Sequence, residues 1–323
     1  MIYKFEPIYK ERVWGGNMFA RHLNRSVPRN SKLGESWDIV DRDCSVSKIV
    51  NSEEFQSLRE LIEKKPAETL GPGWASDMKF PILVKWLDCS KRLSLQVHPP
   101  KNIAKKLNGE PKTENWFVAH AESDAALFAG ITKGTTKEIF EEAIKDGIAE
   151  KFCHKQNTKK GDSLLVESGR IHAIDAGNLI LEIQQNSDTT YRVFDWGRTG
   201  LNGKPRELHL TESLECIDFN DFEPSVLSTS DKEGIEVIAA CEQFRIRRFN
   251  TNSKGLHHLK NEDEDCLLIH SIAGNIEVND ETLLPGEHAL VPYSKACSVF
   301  SPETSTFITT DNFIHTNSKC NLN

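Results

Sequence analysis

The stretch Gly161-Asp162-Ser163-Leu164-Leu165-Val166-Glu167-Ser168-Gly169-Arg170-Ile171-His172 has the form G-x5-E-x-G-x-x-H. A second stretch, Gly286 to Cys297, has the related form G-x5-P-x-S-x-x-C. Short runs rich in Val, Ile, Leu and Phe surround both, and Gly, Asn, Asp and Pro punctuate them. This spacing predicts strands over 81–88, 93–98, 115–119, 125–130, 163–167, 179–185, 189–195, 244–249 and 266–271. Many short strands at near-regular intervals favour a sandwich, jelly roll or barrel. The chain therefore reads as mainly β.

Helical periodicity interrupts that pattern in two places. Phe55, Leu58, Leu61 and Ile62 fall at helical spacing after Ser52. Thr135 and Glu138 form a capping-box pair ahead of the apolar stripe Ile139, Phe140, Ala143 and Ile144. A short helix is also expected from Asn102 to Leu107, closed by Asn108-Gly109. Helical insertions are thus expected at about 50–75 and 100–155. The polar run Asn220 to Gly234 reads as a domain boundary. The expected division is 1–225 and 235–323. The two glycine-led stretches each resemble, with substitutions, the second sequence motif of cupin jelly rolls, G-x5-P-x-G-x-x-H. The resemblance implies a cupin-type domain with helical insertions, followed by a smaller cupin-like β domain. The first keeps the motif's metal-binding histidine. The second carries Cys297 there, so no metal site is expected in it.

Composition narrows the function. The chain has 323 residues, with 40 Lys and Arg against 48 Asp and Glu, a formal charge of −8. Nucleic acid and anionic membrane both call for a basic excess, so neither is expected as a partner. No apolar run is long enough to span a bilayer. The first sixteen residues carry Lys4, Glu6, Lys10, Glu11 and Arg12, which argues against a signal peptide. The eight cysteines are scattered, without a CxxC pair. That distribution fits reduced thiols in a cytoplasmic protein.

Side-chain alternation points to chemistry. In Leu93-Ser94-Leu95-Gln96-Val97-His98, a strand places Leu93, Leu95 and Val97 on one face and Ser94, Gln96 and His98 on the other. Gln96 and His98 then project together, about 7 Å apart along the strand. Lys112 and Glu114 lie where the next strand begins. With His172, the candidates Gln96, His98 and Glu114 make a nitrogen–oxygen donor set suited to Zn²⁺, and also to Fe²⁺, Mn²⁺ or Co²⁺. Further on, LILEIQQNSDTTYRVFDWGR (Leu179–Arg198) reads as a hairpin around Asn186-Ser187-Asp188. Arg192 shares a face with Thr190, Phe194 and Trp196; it could stack on the aromatics, or bind phosphate or a developing oxyanion.

These segments carry a wider resemblance. VWGG (Val13–Gly16), GESWDIVD (Gly34–Asp41), FPILVKWLD (Phe80–Asp88), LSLQVHPP, KTENWFV, SGRIHAI, LILEIQQNSDTTYRVFDWGR and RELH (Arg206–His209) occur in one order. In that order they resemble type I mannose-6-phosphate isomerases in their shorter bacterial form. The resemblance implies one zinc ion per chain, held by Gln96, His98, Glu114 and His172, and a phosphosugar substrate. It places Arg192 at the family's active-site arginine, and Lys85, Lys112 and Asp188 at polar positions lining its pocket. Lys112 is the expected base, with its pKa lowered by neighbouring cations. Lys85 and Arg170 are candidate phosphate anchors. The chain departs from the family pattern at Pro99-Pro100-Lys101, which lacks an acid, at Asn115, where cysteine is usual, and at Arg170, where threonine is usual. A non-catalytic sugar-phosphate-binding cupin and a non-haem iron oxygenase are the other readings of the same residues. Oligomeric state leaves no signal in the sequence.

Overall fold

A computed structural model describes residues 1–28, 31–229, 232–259 and 265–313. The chain divides into two compact units. One comprises Tyr9–Ser36 and Lys85–Ser228; the other comprises Met1–Ile8, Trp37–Val84 and the chain from Thr229 onward. The final cut falls inside the polar run, but residues 1–8 and 37–84 group with the C-terminal strands, unlike the contiguous 1–225 division expected from sequence. Long-range pairings make the difference. Tyr3 pairs with Leu290 across adjacent strands, and the Trp74 indole donates to Asp265 Oδ1 at 2.8 Å.

In the unit containing Lys85–Ser228, two antiparallel sheets form a jelly roll. The first has the order Cys153–Asn157, Ala126–Ile131, His172–Ile174, Leu95–Val97, Tyr191–Phe194. The second has the order Ser163–Val166, Glu114–Ala121, Asn178–Gln185, followed by strands that contribute residues 85–89, 33–36 and 9–16 to this unit. Leu127, Ala129 and Ile174 of the first sheet share a buried cluster with Trp116, Val118, Leu164, Val166 and Ile180 of the second. This cluster is the interior of the roll. Leu95, Val97, Phe128, Ala173 and Val193 point the opposite way and pack with Phe140 and Ile144 of the helix Lys137–Lys145. Burial on both faces explains why Ala126–Ile131 is apolar throughout rather than alternating. Two family-motif glycines have a steric role here. A Cβ on Gly15 would fall 2.4 Å from the Gly34 nitrogen, and one on Gly34 would fall 2.5 Å from Arg12 Cβ, so the two strands meet at a spacing only glycine allows.

Several local expectations are corrected. Asn178–Gln185 and Tyr191–Phe194 belong to different sheets, so the turn between them is a corner of the roll and not a hairpin. Leu93 lies in the interior cluster, apart from Leu95 and Val97, because the strand begins only at Leu95. Thr136, not Thr135, caps the long helix, accepting from the Ile139 N–H; Thr135 pairs its hydroxyl with that of Thr132 at 2.9 Å. Ile139 is exposed, so the buried stripe is Phe140, Ala143 and Ile144. The helix expected over 102–107 is a single turn at Lys101–Ala104.

The second unit also pairs two sheets. One runs Tyr3–Lys4, His288–Val291, Leu267–Ala273, Ser305–Asp311, Arg245–Thr251, Gly234–Ala240; the other runs Gly255–Leu259, Cys297–Ser301, Ile276–Val278, Glu281–Leu283. Leu267, Ile269, Ala289, Val299 and Phe307 share a core with Cys297. Burial pushes the Cys297 thiol up to about 12, as befits an inert core residue. The seven cysteines among the described residues are free thiols; Cys320 lies outside the described residues. No helix among those residues is long and apolar enough to cross a membrane.

Candidate metal centre and cavity

Strand register assembles the site. Gln96 is paired on one side with His172 and on the other with Arg192. All three alternate with residues of the outer cluster, so all three face the interior of the roll. His98 follows directly after the Gln96 strand, and Glu114 opens a strand of the opposite sheet. Closure of the roll thus supplies the convergence that sequence spacing alone cannot.

His98, Glu114 and His172 are fully buried, at 0%, 0% and 1% exposure. Their donor atoms lie within 4.8 Å of one another. His98 Nε2 is 3.2 Å from Glu114 Oε2, and His172 Nε2 is 3.6 Å from Glu114 Oε1. The Gln96 amide approaches His172 Nε2 at 3.3 Å. Both imidazoles are oriented from behind. His98 Nδ1 donates to the Thr189 carbonyl at 3.0 Å, and His172 Nδ1 donates to the Arg170 carbonyl at 2.8 Å. With the proton on Nδ1, each Nε2 presents a lone pair to the same point.

The electrostatics suit a cation. Burial, with the nearby Lys112 charge, lowers His98 to about 3. Burial lowers His172 to about 4, so both rings are neutral at pH 7. Burial works against ionising Glu114, but the Lys112 ammonium overcomes it and holds that carboxyl well below its usual range. Lys112 Nζ stands 2.8 Å from Glu114 Oε2. Even so, neither Glu114 oxygen nor His98 Nε2 has an aligned hydrogen-bond partner. Buried acceptors left this way are costly in an ordinary core. Two neutral imidazoles and a carboxylate around one point, with the Gln96 amide beside them, fit a divalent metal ion of the zinc type.

Above this cluster lies a cavity of about 560 Å³, lined by Gln96, Lys85, Lys112, Glu182, Arg192 and Arg206 among others. Glu182 is buried and joins the lysines: its Oε1 is 3.3 Å from Lys85 Nζ and 3.9 Å from Lys112 Nζ, and its Oε2 accepts from the Trp116 indole at 3.0 Å. The Trp116 ring in turn meets the His172 ring edge-on, with centroids 5.3 Å apart. Sequence reading passed over Glu182, although a carboxylate within the apolar run LILEI was the available signal. Lys112 differs from expectation. Burial favours its neutral form, but Glu114 and Glu182 outweigh that and raise its pKa.

Arg192 is half-buried and donates to the Glu207 carbonyl at 2.7 Å, while its Nε is buried without a partner. Arg206, also missed from sequence, shares Asp195 with Arg198. Burial and the Arg192 charge lower Arg206 to about 10. This crowding of cations at the cavity wall favours an anion. Asp188 lies exposed at the rim. Arg170 is not among the cavity-lining residues. Its guanidinium is held by Asp221 at 2.7 and 2.9 Å, which leaves it unsuited to anchor a phosphate.

Residues 2–110 match the family model for the catalytic domain of type I phosphomannose isomerase. Mannose-6-phosphate isomerase ManA of Bacillus subtilis (strain 168) is 34% identical over 90% of this chain and 92% of its own length. Mannose-6-phosphate isomerase of Streptococcus mutans is 29% identical over 89% of this chain and 92% of its own length. The crystal structure of the mannose 6-phosphate isomerase from Bacillus subtilis superposes with a TM-score of 0.82 at 28% identity, covering 96% of this chain and 99% of that one. With likeness of this extent in sequence and in fold, the chain belongs to the type I phosphomannose isomerases.

Proposed function

We propose that the chain is a zinc-dependent isomerase that interconverts mannose 6-phosphate and fructose 6-phosphate. The observation that carries the reading is the convergence of His98, Glu114 and His172, with Gln96, beneath a cavity walled by Lys85, Lys112, Arg192 and Arg206. One zinc ion per chain would be held by those four residues, and its chemistry would be Lewis-acid stabilisation of negative charge on the sugar's O1 and O2.

Isomerisation removes the proton from C2 of the open-chain aldose and delivers a proton to C1, while the O2 hydroxyl proton is lost and O1 gains one. An enediolate lies between the two, and no electrons leave the substrate. Lys112 is the candidate base. Its ammonium is stabilised chiefly by Glu114 and Glu182; with the Glu114 charge shared with a cation, Glu182 and the more distant Asp188 would be left to oppose loss of the Lys112 proton. Glu182 also fixes Lys85 beside Lys112. Arg192 supplies a fixed positive charge on the same sheet face as Gln96. Arg206, with Arg192, favours the phosphate dianion, and Asp188 at the rim can accept from sugar hydroxyls. The cation-rich wall favours this phosphosugar chemistry over an iron oxygenase, whose substrate site requires no such charge.

The test is turnover of mannose 6-phosphate before chelation, after it, and after zinc is restored. Loss and recovery of activity are expected. A folded, zinc-loaded protein that binds the sugar phosphate without converting it would overturn the enzymatic reading.

A further inference from the structure

Arg170 stands where the family pattern carries a small threonine, and it faces away from the substrate cavity. We propose that Arg170 and Asp221 form a strut that positions the metal ligand His172 and thereby sets the protein's affinity for its metal. The inference rests on the metal-site reading above and on geometry alone.

The turn Glu167–Arg170 reaches both histidine ligands through its backbone. The Gly169 N–H donates to the His98 carbonyl at 2.8 Å. The Arg170 carbonyl accepts from His172 Nδ1 at 2.8 Å. Gly169 has a φ of +93°, and a Cβ there would come within 3.2 Å of the Cys216 carbonyl, so this peptide can take its orientation only with glycine. Something must then hold the next peptide plane, the one whose oxygen grips His172. The Arg170 side chain does so. Its Nε and Nη2 form a two-pronged pair with Asp221 at 2.7 and 2.9 Å. Its Nη1 donates to the Leu165 carbonyl on the preceding strand. The Arg170 and Asp221 side chains are only 12% and 17% exposed, so solvent weakens the pair little. The Asp218 N–H closes the frame on the Gly169 carbonyl at 2.8 Å. The guanidinium is thus a brace for a carbonyl, and the carbonyl fixes which nitrogen of His172 is free and where it points. Partners of this outer kind commonly carry 10- to 100-fold in metal affinity.

The experiment measures zinc affinity by chelator competition, and the rate of zinc transfer to excess chelator, for wild type, Arg170→Met, Asp221→Asn and the double variant. Arg170→Met keeps the apolar stem and removes the fork. Each single variant is expected to weaken zinc binding about 10- to 100-fold and to speed its release, and the double variant to be no worse than the singles, because the two residues act as one unit. The visible absorption of the cobalt-loaded variants should shift as the His172 ring loosens. Arg92→Met is the control for general destabilisation: that arginine grips Asp175 with an equivalent fork, at 2.7 and 3.0 Å, and lies over Phe128 and Trp196. It should lower thermal stability without changing zinc affinity. Wild-type zinc affinity and release in both Arg170→Met and Asp221→Asn, whatever their melting temperatures, would overturn the proposal while leaving the metal centre standing. A wild-type protein that binds no divalent cation would remove the metal reading and this inference with it.

Discussion

In the unit that carries the cavity, His98 and His172 turn their Nδ1 atoms to backbone carbonyls and aim both Nε2 atoms at Glu114. In the other unit, His270 and His288 are equally buried but turn their Nδ1 atoms toward each other, 2.9 Å apart. His288 Nε2 meets Asp38 Oδ2 at 3.0 Å, and His270 Nε2 meets the Thr310 hydroxyl at 2.9 Å. One proton arrangement fits the two hydrogen bonds: Thr310 donates to His270 and His270 donates to His288, whose Nε2 faces the Asp38 carboxylate. No common point is left for a cation. The same residue types, two histidines and a carboxylate, converge as a candidate metal centre in one unit and line up as a chain of side-chain contacts in the other. Burial does not distinguish them; the direction in which the ring nitrogens face does.

The largest expected effects separate the two clusters outright. Glu114→Gln or His172→Ala should abolish tight zinc binding and lower kcat by about 10³-fold or more, since the charge that develops in the transition state then lacks its main stabiliser. His270→Gln should leave zinc content and kcat within about threefold of wild type, as measured by elemental analysis and steady-state assay. Next in size is Lys112→Ala, expected to lower kcat by about 10²- to 10⁴-fold with zinc still bound. Near-normal turnover in that variant would remove Lys112 as the base. Arg206→Ala should act mainly on KM, raising it about 10- to 100-fold through the lost charge-assisted bond to phosphate. An unchanged KM would mean that the phosphate lies elsewhere.

The smallest effect concerns stability and acid. Burial, with the adjacent His288, holds His270 well below 6.5. The groups facing it are His288, Asp38 and the Thr310 hydroxyl. The unfolded chain takes up a proton at this position as pH falls below about 6.5, while the folded chain refuses it. Stability from this residue is therefore full above that pH and falls by up to about 1.4 kcal/mol per unit below it. Denaturant titrations between pH 7 and pH 5 should show a shallower slope in His270→Gln than in wild type. Equal slopes would mean that the network tolerates the extra proton.

The contrast also shows what sequence can and cannot reveal. Gln96, His98, Glu114 and His172 were legible because alternation along one strand, a glycine-led motif and the family's segments all marked them. Arg192 was legible for the same reason. Glu182 and Arg206 were not singled out, because their meaning depends on partners brought from other strands: Lys85, Lys112 and Trp116 for one, Arg192 and Asp195 for the other. Arg170 was misjudged as a phosphate anchor because its partner, Asp221, lies in the irregular run near the domain boundary, far outside any local pattern. Strand alternation likewise could not show that Leu179–Arg198 turns a corner between sheets, since both a hairpin and a corner begin as two apolar runs around a polar turn. The helix cap at Thr136 was missed by one residue because adjacent threonines offer the same hydroxyl.

The most direct test is zinc stoichiometry by elemental analysis after loading and dialysis, in wild type, Glu114→Gln and His270→Gln. One ion per chain in wild type and His270→Gln, with none retained in Glu114→Gln, is the predicted result. Zinc retained in Glu114→Gln, or lost in His270→Gln, would contradict the assignment of the metal to the convergent cluster.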